Sequence, residues 1–190
     1  MSLEMAPVVA RALRNDVVES VHHGIGVITS PEGHMIDAVG EPTTPVFARS
    51  SNKPLQAVAM VESGLHVPAP HLALVCASHS GEPRHVAGVR EMLAAVGLTQ
   101  EHLQNTADLP FDATARETWL AAGHRRSSIV QNCSGKHAGM LTTCVAAGWD
   151  TATYREREHP LQRRITATIE RLQGYQTQAL AVDGCGAPVH

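Results

Sequence analysis

Residues 131–148 read QNCSGKHAGMLTTCVAAG. A cysteine, a serine, a lysine and a histidine crowd into five positions, and an apolar run follows them. The run has helix composition and ends at Gly148, the residue type that takes the left-handed exit of a helix. The spacing therefore predicts a helix from about Ser134 to Ala147, with a polar cluster at its mouth. A cluster of this kind is either a helix cap or a site. Lysine usage bears on the choice. The chain holds thirteen arginines but only two lysines, Lys53 and Lys136. Each lies three residues after a potential nucleophile or ligand, in Ser50-x-x-Lys53 and Cys133-x-x-Lys136.

Outward from this helix, the reading alternates helices with short apolar runs. Residues 21–39 predict a strand hairpin around the turn SPEG, and TTPVFAR a further short extended piece. A helix capped by Ser50, Ser51 or Asn52 follows, with Pro54 in its first turn and Gly64 at its exit. LALVCAS, 72–78, predicts a buried strand. A helical region, 84–173, carries the stripe Val86, Val89 and Leu93 and the stripe Leu161, Ile165, Ile169 and Leu172. Within it, Thr114 and Glu117 offer a capping box. QALAVDG, 178–184, closes the pattern as a late strand over 178–183 that runs into a glycine turn. This is an α/β arrangement, in which the early hairpin is expected beside the late strand.

At 190 residues with 43% hydrophobic side chains, the chain can bury a core. A formal net charge of -3 without a basic block argues against nucleic acid as a partner. No run of eighteen apolar residues argues for a membrane span, and no apolar leader opens the chain. The four cysteines show no dense scaffold pattern, which predicts reduced thiols and a cytoplasmic protein.

Several groups can do chemistry. A serine hydroxyl is a weak nucleophile, and a neutral lysine one helical turn away can take its proton, as in Ser-Lys hydrolases. The alternative for Ser50 and Lys53 is a cap and a solvated lysine. In CASHSGEPRH, Ser78 and Ser80 can donate to a carboxylate or amide, Glu82 can hold an ammonium group, and His79 and His85 can act as ligands or bases. Cys133 and Cys185 can bind zinc as thiolates, with Asp183 two residues before Cys185. Buried free thiols are the plainer reading. Cys76 and Cys144 read as core residues.

Four stretches in this order, FARSSNKPLQA, ASHSGEPRHV, NCSGKHAGML and DGCGAP, resemble the type II L-asparaginase family of rhizobial type. The resemblance runs from about Val21 to the end. It implies a fold like that of serine β-lactamases and glutaminases, and hydrolysis of L-asparagine to L-aspartate and ammonia. It implies Ser50 as nucleophile with Lys53 beside it, Ser78 as a second site serine, and zinc held by Cys133, Lys136 and Cys185. Glu82 and Asp183 are candidates for the substrate's ammonium and Arg49 for its carboxylate. Family members are longer, and a later lysine partners the second serine. No third lysine exists here, so the chain reads as an incomplete, N-terminal portion of one such domain, ending in a loop at His190 and expected to form a homodimer. The rival readings are a glutaminase or other serine amidohydrolase, and an inactive truncated homologue with a structural or interaction role.

Overall fold

The computed structural model describes residues 5–189, so the expectation attached to His190 lies outside it. The chain divides into two units, one up to Val46 and one from Phe47 on.

The first unit is two antiparallel hairpins. Strand β1 (Val8–Arg14) pairs with β2 (Val17–His23), and β3 (Gly26–Thr29) with β4 (Met35–Val39). Asn15 and Asp16 close the first hairpin with φ of 46° and 66°. Two consecutive left-handed residues match the right-handed twist of the flanking strands, and Asn and Asp tolerate that region better than other non-glycine residues. The expected 21–39 hairpin is therefore half right. SPEG does turn β3 into β4, but Val21–His23 belongs to the preceding hairpin. Many apolar side chains of this unit face solvent, among them Leu13, Val17, Ile28 and Ile36.

The second unit is helical. It comprises α1 (Lys53–Glu62), α2 (Ala69–Cys76), α3 (Pro83–Ala94), α4 (Ala113–Ala121), α5 (Ser134–Ala147) and α6 (Pro160–Gln173). A two-stranded ladder of β5 (Ala181–Val182) and β6 (Pro188–Val189) ends it. Helix α5 is the centre. Every residue from Ser134 to Cys144 is buried, with α1, α2, α3 and α6 packed around it. Met60, Val75, Val89, Leu93, Met140, Leu141, Ile165 and Ile169 form the core. Each such side chain contributes about 1.5–3 kcal/mol by leaving water.

Two glycines set how close α2 comes. A Cβ on Gly135 would lie 2.5 Å from the Leu74 carbonyl oxygen, and one on Gly139 2.7 Å from a Val75 methyl. Helix α5 thus meets α2 backbone against side chain, with no layer between.

Several expectations change here. The run at 72–78 is mostly helix α2. Pro70 sits in its first turn, and the exposed positions Ala69, Pro70 and Ala73 are themselves apolar, so no polar face marks the helix. TTPVFAR forms no strand; it leads into a 3₁₀ turn, Arg49–Asn52. The late strand shrinks to Ala181–Val182 and pairs with β6, not with the early hairpin. Asp112, not Thr114, caps α4, accepting from the Ala115 amide at 2.7 Å. Leu172 is exposed, so the α6 stripe ends at Ile169. The helices α3, α5 and α6 run as expected, and Gly148 and Gly174 take left-handed conformations at the ends of the last two. The result is a mixed α/β protein of helices and small sheets. No helix among the described residues is long and apolar enough to cross a membrane.

Candidate active site

Helix α1 starts abruptly. Arg49 opens the preceding turn with φ of 53°, an unusual conformation for a residue with a Cβ. The turn then aims Ser50 and Lys53 into one cavity of about 250 Å³. Lys53 is 2% exposed, and its Nζ donates to the Ala77 carbonyl at 2.7 Å and to Ser78 Oγ at 2.8 Å. Both acceptors lie where α2 ends and the chain turns extended. Ser78, for which the sequence offers no lysine of its own, therefore shares Lys53. No side-chain hydrogen bond among the described residues links Ser50 to Lys53. The neighbouring Ser51 turns away: its hydroxyl donates to the Ala48 carbonyl at 2.5 Å, and it does not line the cavity.

The opposite wall comes from the mouth of α5 and the DGCG turn. Gln131 ties them together. Its carbonyl oxygen accepts from the Cys133 amide at 2.9 Å and from Asn105 Nδ2 at 2.8 Å. Its amide nitrogen donates to Cys185 Sγ at 3.1 Å and to Asn132 Oδ1 at 2.9 Å. Cys133 and Cys185 are neighbours. Hydrogen bonding from Cys185 lowers the Cys133 thiol to about 6 against the opposing effect of burial, with help from Lys53 and Lys136. The same interaction, with burial, raises Cys185. Lys136, 2% exposed, donates to Asp183 Oδ2 at 2.8 Å. Burial alone would raise the Asp183 carboxyl; the Lys136 charge and the Cys185 and Ala187 amides outweigh it and lower it.

Of the nine residues given a site role with the family resemblance, seven line this cavity: Arg49, Ser50, Lys53, Cys133, Lys136, Asp183 and Cys185. Ser78 reaches it only through Lys53. Glu82 is not brought there; it accepts from Ser80 Oγ at 2.7 Å and from Arg84 at 3.1 Å. His79 is structural in its bonding. Its Nδ1 accepts from the Gly81 amide and its Nε2 meets Ser134 Oγ, which itself donates to the Ile129 carbonyl. The imidazole therefore carries its proton on Nε2. Burial, then His85, keeps it neutral, with a pKa lowered to about 4. Sequence reading passed over Gln56, Asp108, Gln131, Asn132 and Val189, which also line the cavity. Gln56 was findable, one helical turn beyond Lys53 on the same face.

Among the described residues, no three His, Cys, Asp or Glu side chains gather closely enough to hold a metal ion. The two adjacent thiols suit a soft divalent ion, but the third protein donor would have to be the Lys136 amine, freed from Asp183.

The model of one protein family, described as L-asparaginase II, matches residues 10–190. No curated protein matches the chain.

Proposed function

The chain belongs to the L-asparaginase II family, and from that premise we propose that it is an amidohydrolase converting L-asparagine to L-aspartate and ammonia by a serine-lysine mechanism. The observation that carries this reading is Lys53, a lysine buried beside a cavity with its amine held between Ala77 and Ser78, and with Ser50 one turn away on the cavity wall.

Ser50 is the nucleophile. Its oxygen attacks the side-chain carboxamide carbon as its proton passes to the Lys53 amine. Lys53 then gives a proton to the departing nitrogen, which leaves as ammonia. A water attacks the resulting ester with Lys53 again as base, releasing aspartate and restoring Ser50. Ser78 and the Ala77 carbonyl are positioning groups, which fix the amine on the cavity side of α1. Arg49 at the mouth supplies a cation for the α-carboxylate. Asp183 already accepts three hydrogen bonds, so it serves the α-ammonium only while Lys136 is turned elsewhere.

Cys133, Cys185 and Lys136 are the zinc ligands in this reading. Zinc bound there supplies positive charge that orients the substrate. Moving Lys136 onto the metal would leave the Asp183 carboxylate for the substrate's ammonium. The same reading extends to a β-lactamase/glutaminase-like fold, to a homodimer and to the cytoplasm. Exposed apolar side chains on β1–β4 and four free cysteines support the last two.

The test is ammonia release from L-asparagine and from L-glutamine by the purified chain and its Ser50→Ala variant. Release from asparagine that S50A abolishes supports the reading. Release that survives S50A removes the nucleophile, and silence of the wild type removes the function.

A further inference from the structure

Five side chains among the described residues bury a polar atom with no hydrogen-bond partner: Gln56, Asn105, His137, Gln162 and Thr177. Asn105, His137 and Gln162 each use their other polar atom inside the protein. Thr177 lies away from the cavity. Gln56 is different. It is 4% exposed, its carbonyl oxygen is sealed and unpaired, and no hydrogen bond to its amide nitrogen exists among the described residues. It also borders the cavity that holds Ser50 and Lys53.

A carbonyl oxygen buried without a partner destabilises a fold, because it has lost its water, and the Gln56 amide nitrogen beside it is not sealed in the same way. Such groups persist where something outside the folded chain completes them. Gln56 follows Lys53 by three residues on α1, so the two side chains leave the helix on one face. A molecule that brings its reacting carbon to Ser50 and Lys53 is therefore within the same stretch of wall as Gln56. A glutamine carboxamide offers one donor and one acceptor, and half a turn about its last torsion exchanges them. Its complement is another carboxamide, which presents an acceptor and a donor in the same plane. A carboxylate is a poorer match, because it supplies acceptors only and leaves the Gln56 oxygen facing negative charge.

We propose that Gln56 is a specificity-determining residue that hydrogen-bonds the side-chain carboxamide of the substrate and so distinguishes amide substrate from acid product. The assignment rests on the asparaginase reading above. It gives the reaction a direction at the binding step: hydrolysis replaces the matching group by one that Gln56 holds less well, and the product leaves.

The experiment compares the wild-type chain with Gln56→Met and Gln56→Glu by steady-state ammonia release, by inhibition with L-aspartate, and by thermal melting without ligand. Methionine keeps the length and removes both hydrogen-bonding atoms. Q56M should raise KM for L-asparagine about tenfold, the worth of roughly one to two hydrogen bonds. Its kcat should change less than about threefold, and its ligand-free Tm should rise by about 3 °C as the orphaned group disappears. Q56E keeps an acceptor for the substrate's N–H and should lose inhibition by aspartate, whose carboxylate it repels. An unchanged KM in Q56M, with wild-type turnover intact, overturns the Gln56 assignment and leaves the asparaginase reading standing. A raised KM with a lowered Tm marks Gln56 as a packing residue and overturns the assignment too. Aspartate inhibition that persists in Q56E also counts against it. A wild-type chain that releases no ammonia removes the asparaginase reading, and the assignment falls with it.

Discussion

Replacing Lys53 by methionine separates chemistry from architecture. The Lys53 side chain is 2% exposed, and its amine has two close acceptors in Ala77 O and Ser78 Oγ. Methionine has nearly the same length and flexibility, so it fills the channel but cannot accept a proton. Loss of a general base lowers turnover about 10²–10⁴-fold, which is about 3–5.5 kcal/mol of transition-state stabilisation. The stability ledger is far smaller. Exchanging a buried charged group for an apolar one of similar volume is often neutral or stabilising, although the Ala77 carbonyl loses a donor. We expect the Tm of K53M to stay within about 4 °C of wild type while kcat for L-asparagine falls at least 10²-fold and KM changes less than about threefold. Lys53→Arg should be as inactive, because guanidinium does not give up its proton near neutral pH. Its larger head should also overfill a site this enclosed and lower Tm. The assays are ammonia release under saturating substrate and thermal melts on the same preparations. K53M retaining more than about a tenth of wild-type kcat, with an unaltered melt, would refute the role of Lys53 as the base.

The serines should divide by their hydrogen bonds: Ser51→Ala should leave kcat within about twofold, and Ser78→Ala should lower it about tenfold by loosening the Lys53 amine, both read by ammonia release. Metal analysis of protein purified without chelator should give one zinc per chain, lost in Cys133→Ser and in Cys185→Ser; a ratio near zero after zinc is added under reducing conditions contradicts the site. Gly135→Ala should destabilise by about 1–3 kcal/mol, seen as a lower denaturant midpoint, because its methyl would meet the Leu74 carbonyl at 2.5 Å. Acid should weaken the fold through His79. The pKa near 4 in the folded chain lies below the unfolded value of about 6.5, so the unfolded state binds protons first as pH falls. Stability should drop between pH 6.5 and 4 by on the order of 3 kcal/mol, and His79→Gln should flatten that slope in denaturant titrations.

Much of the site was legible in the chain because local spacing carries it. Ser50 with Lys53, Cys133 with Lys136, and Asp183 with Cys185 are each joined by a turn of helix or a tight loop, and all six reach one cavity. The hydrogen bond from Lys53 to Ser78 was not legible. It depends on how α2 ends against α1, and α2 itself read as a strand because its exposed positions are apolar too and leave it no polar face. The helices α3, α5 and α6 were readable from stripes and glycine exits. The first hairpin was missed although Asn15-Asp16 between two β-branched runs is a turn signal. Gln56 escaped notice because a glutamine on a helix reads as an ordinary solvated residue, and only burial makes it unusual.

The scarcity of lysine acquires a different meaning once both lysines are located. Lys53 and Lys136 are each 2% exposed, while the thirteen arginines carry the rest of the chain's fixed positive charge. Neither lysine side chain presents a surface amine to acylating reagents, reducing sugars or the enzymes that conjugate other proteins to lysine. Arginine, with its delocalised and permanently protonated guanidinium, takes no part in that chemistry under ordinary conditions. Covalent ageing of this surface therefore bypasses its cations, and the two amines that could be marked lie inside the cavity rather than on the surface.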